Sequence, residues 1–356
     1  ALFLEKISPY SQQVEEAIQY GVYGRLAEPG ENLMTFSYPP YALLPFLPLS
    51  FLPLKWAQSI WVAFLFSTLL VLPLAAFPRI PRWAWISSFF IYPISFSLLL
   101  GNYAVLLGTL LIFVIGYLLF SENASPGMDI FTGVLLAFTT IKPQFSALFL
   151  LILLLAVLRF KRWRLLISFF GSFLVFITFS FILLPGWPLA WYQQLFRYVE
   201  SNQAIPHVTI LLQFIMKPGL ANTFTLILTG LLFAVLGWLG WQWWKGKLPF
   251  LKLLAFTGFF AYFIHPRTVS YEQIVFLVPF LVWIFSNPEA TPCFHKLIFY
   301  FGSIVISWVG FAANKAGWEQ LFPLEWIFLF YLIWMVYFFI TPKNAVHLKK
   351  HDSTDL

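Results

Sequence analysis

IFTGVLLAFTTIKPQFSALFLLILLLAVLRFKRWR, Ile130 to Arg164, carries one charge, Lys142, deep inside an apolar run, and Pro143 follows it directly. Proline removes a backbone donor and pushes the preceding residue out of the α region, so this sequence predicts a helix broken at a lysine. In hydrocarbon, an ionisable group and freed carbonyls are both costly. They persist where they face protein or a water-filled cavity, and they mark a pathway or a site. The run closes on Arg159, Lys161, Arg162 and Arg164. Short loops rich in Lys and Arg stay in the cytoplasm, which predicts that this end faces inward and Lys142 outward.

The chain of 356 residues is 60% hydrophobic and 10% charged, with a mean hydropathy of +0.82. Soluble domains run near half apolar and one quarter charged, so the expected class is an all-α polytopic membrane protein. The net charge of +7 does not point to nucleic acid, because the basic residues fall between apolar segments, where topology accounts for them. Cys293 is the single cysteine, which excludes a disulfide framework and a cysteine-based metal site. The chain starts at Ala1, and only Ala1 to Leu4 precede a polar segment, so a first membrane span is expected to lie upstream of residue 1.

In order, residues 1–37 read as an extracytoplasmic segment and 38–184 as an amino-terminal membrane module containing the break at 142–143. Residues 185–222 read as an extracytoplasmic loop, 223–342 as carboxy-terminal membrane helices and 343–356 as a cytoplasmic tail. Pro45, Pro48 and Pro53 shorten the first apolar run to a re-entrant or short helix. Spans are expected over 55–77, 83–100 and 103–120, then the broken pair 129–141 and 143–158, then 163–184. A second set is expected over 223–244, 250–264, 271–286, 296–312 and 324–341. Alternation places Asn102, Lys142, the 185–222 loop and the turn from His265 to Glu272 on the outer face.

No GxGxxG, GxxxxGK[ST], HExxH or GxSxG occurs, so nucleotide-loop, zincin and hydrolase chemistry have no support. Five scattered histidines predict no metal and no cofactor. The three aspartates, Asp129, Asp352 and Asp355, fall on the cytoplasmic side, which leaves glutamate for any external acid or base. Glu15, Glu16, Glu28, Glu31, Glu200 and Glu272 are the candidates, with Glu15, Glu16 and Glu272 foremost; Glu272 heads an apolar helix and also suits the helix amino terminus. Arg267 has two readings, a guanidinium snorkelling to the headgroups or, with Lys142, a clamp on a lipid phosphate. Broken helices with charges at the break also occur in secondary transporters, which is the alternative reading.

Five stretches occur in order: SPYSQQVEEAIQYGVYGR (8–25), FSYPPYALLPFLPLSFLP (36–53), LLLGNYAVLLGTLL (98–111), GVLLAFTTIKPQ (133–144) and HPRTVSYEQIVFLVP (265–279). This succession resembles glycosyltransferase family 87, a group of polytopic GT-C enzymes. The resemblance implies a GT-C-like bundle of about 10–12 membrane helices, short or re-entrant ones included. It implies inverting transfer of a mannose-like hexose or a pentose from a polyprenyl-phosphate donor to a glycan or glycolipid acceptor. The setting it implies is the extracytoplasmic face of a bacterial plasma membrane, with membrane lipid as the other partner. Lys142 and Arg267 would hold the donor phosphate, and Asn102, Gln144, His265 and Tyr38 would line the substrate site. The resemblance also implies an acidic motif just after the first span, upstream of Ala1, so the general base is expected to precede this chain.

Overall fold

YAVLLGTLLIFVIGYLLF has no polar stripe, and a helix that is apolar all round belongs in the middle of a bundle. In the computed structural model this helix, α5 (Tyr103–Phe120), is buried continuously from Tyr103 to Leu118. The structure describes residues 5, 7–28, 31, 33–77, 80–121, 125–201, 206–264, 274, 281, 294–315 and 333. Among them α1 (Gln12–Tyr23) comes first, followed by two 3-10 helices, η1 (Pro40–Phe46) and η2 (Pro48–Phe51). Then come α2 (Leu54–Ala76), α3 (Arg82–Ser88), α4 (Tyr92–Leu99) and α5. The broken pair is α6 (Pro126–Phe138), η3 (Thr139–Ile141) and α7 (Pro143–Arg159), followed by α8 (Trp163–Leu183). The remainder is α9 (Trp187–Ser201), α10 (His207–Gln213), α11 (Pro218–Trp244), α12 (Phe250–Ile264) and α13 (Phe294–Lys315). Five helices, α2, α5, α8, α11 and α13, contain stretches long and apolar enough to cross a membrane, and the helices of 126–141, 143–159 and 250–261 are shorter apolar ones. The protein is an all-α polytopic membrane protein, as its composition predicts.

Two glycines allow close approach, of the α8 backbone to α6 and of the Ile274 side chain to α5. A Cβ on Gly133 of α6 would meet Leu165 O of α8 at 2.6 Å, and Ser168 Oγ donates to Ile130 O across the same crossing at 2.7 Å. A Cβ on Gly108 of α5 would meet Ile274 Cγ2 at 2.3 Å, and Ile274 itself is 1% exposed. Small residues at such crossings let helices gain packing that lipid would otherwise supply equally well.

Two segments differ from expectation. The span expected over 83–100 is two short helices, because Pro93 near the start of α4 cannot continue the ladder of α3. The backbone groups freed between them are taken up by α13: Ser307 Oγ accepts from Tyr92 N at 3.1 Å and Trp308 Nε1 donates to Phe90 O at 2.6 Å. Tyr300 OH adds a bond to Ala84 O at 2.8 Å. This second break is therefore closed by protein. The segment expected as a loop over 185–222 is largely helical: it folds into α9 and α10 and supplies the first turns of α11. Loop backbone at a membrane surface leaves polar groups to satisfy, and a helix satisfies them internally. The spans expected over 271–286 and 324–341 lie outside the described residues.

Candidate functional site

At the break, η3 ends on Lys142 with φ −124° and ψ 77°, and Pro143 opens α7. The local chemistry stitches the gap. Thr139 and Thr140 hydroxyls donate to Leu136 O and Ala137 O at 2.7 and 2.6 Å, closing the end of α6. Ser146 Oγ reaches back from α7 to Thr139 O at 2.7 Å. In the first turn of α7, Pro143 has no N–H, while Phe145 N and Ser146 N both bond Lys142 O at 2.9 and 3.1 Å. Any anion held here would meet the Lys142 ammonium and the positive end of the α7 dipole more than a row of bare amides. The Lys142 residue is 6% exposed, so a cation sits inside the fold, where burial is tolerated only in polar or charged company.

The break is roofed from one direction. Tyr41 on η1 is 3% exposed, shares a hydrogen bond with Thr140 Oγ1 at 2.9 Å and stacks on Phe176 near the end of α8. Tyr103 OH donates to Ala42 O, which fixes η1 onto the start of α5. Above this lies a helical cap. Trp191 Nε1 on α9 donates to Ser37 O at 3.0 Å, and Tyr10 OH donates to Tyr38 O at 2.7 Å. Gln194 on α9, 2% exposed, donates to both Thr35 Oγ1 and Glu15 Oε2 of α1. Arg197 Nη2 pairs with Glu15 at 3.3 Å. Burial of the Tyr10 phenol in this cap raises its pKa, with the charge of Tyr41 adding to the effect.

The residues singled out in the sequence thus divide. Tyr38, Asn102, Lys142 and Gln144 share one end of the bundle: the Tyr38 ring lies 5.5 Å from Tyr103, next to Asn102, and Gln144 is exposed just past the break. Asn102 has a structural task, because its side chain accepts from Ala104 N at 2.9 Å as the amino-terminal cap of α5. Glu15 is buried and its oxygens are taken by Gln194 and Arg197, so it anchors α1 to α9. Glu16 accepts from Gln12 Nε2 at 2.9 Å on the surface. His265, Arg267 and Glu272 lie outside the described residues. Tyr41, Thr140, Gln194 and Arg197 carry no signal in the sequence, because their partners are 99 to 182 residues away in the chain, a distance no local pattern reports.

At the opposite end, Asp129 on α6 is held by Arg162 Nε and Tyr117 OH, each at 3.0 Å. Arg159 donates to Trp243 O and lies 4.5 Å from the centre of that ring. A cleft of about 260 Å³ opens at this end beside Gly116, Tyr117, Ser121 and Ser125. It is remote from the break and has no buried cation in its lining.

The sequence profile of glycosyltransferase family 87 matches residues 36–266, nearly two thirds of the chain. The chain belongs to glycosyltransferase family 87. A family 87 chain is a membrane glycosyltransferase of the GT-C superfamily, with a sugar donor and an acceptor as its substrates. The matched span holds η1, the start of α5 and the Lys142 break, along with Tyr38, Asn102, Gln144 and His265; Arg267 and Glu272 fall after it and Glu15 and Glu16 before it. No curated protein and no solved structure matches this family 87 chain.

Proposed function

We propose that this family 87 enzyme moves a mannose-like hexose or a pentose from a polyprenyl-phosphate donor, with inversion, to a glycan or glycolipid acceptor at the extracytoplasmic face of a plasma membrane. The carrying observation is Lys142, a cation 6% exposed at the break that Pro143 makes between η3 and α7. Departure of the sugar leaves charge on a lipid phosphate. A preorganised cation in a water-poor place stabilises that charge in the transition state more than in the ground state. Arg267 is the second cation of the proposed clamp. Tyr38 and Gln144, at the same end of the bundle as Lys142, are proposed substrate contacts.

Membranes carrying the wild-type protein or Lys142→Ala, given radiolabelled polyprenyl-phosphate mannose or pentose, test the reading. Loss of one preorganised charge-stabilising group costs about 10²–10³-fold in turnover, and Lys142→Ala should fall in that range while inserting normally. Wild-type turnover by the variant would overturn the phosphate role, and transfer from a water-soluble nucleotide sugar instead would overturn the donor class.

A further inference from the structure

Lys161 is the only residue other than glycine with positive φ among the described residues, at φ 54°. It closes α7 in a double-bonded turn: Lys161 N bonds Leu158 O at 3.1 Å and Arg162 N bonds Val157 O at 3.0 Å. The same turn closes α11, with Gly246 N on Trp243 O at 2.8 Å and Lys247 N on Gln242 O at 2.9 Å, and there the left-handed position is filled by Gly246 at φ 73°. Glycine is the ordinary occupant of this position, since a side chain is strained in it. Arg164 breaks a second local rule. It sits in the first turn of α8, at the positive end of the helix dipole, where a carboxylate is favoured and none is found. Orientation in the membrane needs cations at this end, but it does not need them at the two positions that disfavour them.

The two turns are neighbours although more than 80 residues separate them. Arg159 donates to Trp243 O, and Arg159 Nη2 would lie 3.8 Å from a Cβ on Gly246. Exposed Lys161, Arg164, Lys245 and Lys247 therefore gather on one end of the bundle, and none has a carboxylate partner among the described residues. Exposed Trp163, Trp241 and Trp244 stand among them at the ends of two apolar helices long enough to cross a membrane. Indole rings at that depth sit between acyl chains and headgroups, and lysines beside them face the phosphate layer. We propose that the joined α7–α8 and α11–α12 turns form a docking surface for the headgroup of an anionic membrane lipid, at the end of the bundle opposite Lys142 and independent of the donor site.

The test uses the whole protein reconstituted in nanodiscs of phosphatidylcholine with one fifth phosphatidylglycerol, with retained lipids counted by native mass spectrometry. Wild type should retain phosphatidylglycerol several-fold above its share. Lys161→Gly/Arg164→Gln/Lys245→Gln/Lys247→Gln should bring retention back to the bulk proportion. Lys161→Gly alone guards against misfolding, since glycine suits the turn: it should raise the thermal midpoint and lower the excess of phosphatidylglycerol. Lys55→Gln, an exposed cation at the start of α2, should leave the excess unchanged. No phosphatidylglycerol excess in wild type, an unchanged excess in the quadruple variant, or an equal loss in Lys55→Gln would overturn the proposal.

Discussion

Replacing Gly133 by alanine puts the packing of the break itself under test. The new Cβ would lie 2.6 Å from Leu165 O, 2.7 Å from Ser168 Cβ and 2.9 Å from Phe169 N, and real Cβ atoms stay beyond 3.0 Å, so α6 and α8 must separate by at least 0.4 Å. Two of the three obstacles are backbone atoms, which cannot rotate away. Overpacking of this kind costs about 1–3 kcal/mol. Separation also strains the Ser168 to Ile130 bond, worth about 1 kcal/mol, while alanine returns about 0.8–1 kcal/mol of helix propensity over glycine. The net expectation is a loss of roughly 1–3 kcal/mol. Gly171 on α8 supplies the control, because a Cβ there meets nothing within 4 Å. Gly171→Ala should therefore be neutral or gain up to about 1 kcal/mol. Reversible unfolding of the purified protein in mixed micelles, titrated with dodecyl sulfate and followed by tryptophan fluorescence, measures both. Because α6 leads directly into η3 and Lys142, Gly133→Ala should also lower transfer activity more than Gly171→Ala does. Equal stability of the two variants would refute the close crossing and the reasoning built on it.

Asn102→Ala should cost about 1 kcal/mol through loss of the α5 cap, and Asn102→Ser, a cap of similar quality, should restore both stability and transfer; a serine variant that is stable but inactive would show that Asn102 touches substrate. Where Arg25 and Glu28 meet Glu31, the hydrogen bond from Arg25 pulls the Glu31 carboxyl down to about 2, helped by the Glu28 amide, which donates to Glu31 Oε2 at 2.8 Å. A lowered folded-state pKa means these contacts are fully held above about pH 4.5 and released as pH falls toward 2. Hydrogen exchange at the Glu28 amide, corrected for intrinsic rate, should lose its protection across that window in wild type and show no such step in Glu31→Gln.

Much of the bundle is legible in the sequence because hydrophobic length and proline act locally. The start of α5 and the start of α7 follow from apolar runs bounded by Asn102 and Pro143, and the Lys142 break follows from Pro143. Pro93 carries the same backbone signal with no charge beside it, so the apolar run over 83–100 reads as one span. In α9, Gly186 and Pro188 mark a start, and Leu189, Tyr192 and Phe196 recur on one exposed side, a helical period hidden by the polar residues between them. The cap over the break is a different matter. Glu15 finds Arg197 across 182 residues and Tyr41 finds Thr140 across 99, and such pairings exist only once the helices have packed. The sequence therefore points to the lysine but not to its roof.

The splint that α13 lays across the α3–α4 break also sets a timetable for biosynthesis. Tyr92 and Ser307 are 215 residues apart, so at about 5–20 residues per second the partner of the Tyr92 amide emerges roughly 10–40 s after Tyr92 itself. Throughout that interval the Tyr92 N–H and the Phe90 carbonyl must draw on water or on another protein, because lipid cannot supply a hydrogen bond. The amino-terminal half of this enzyme is thus born with an open seam, and a ribosome that stalls before residue 307 leaves a membrane product whose unpaired backbone distinguishes it from the finished one.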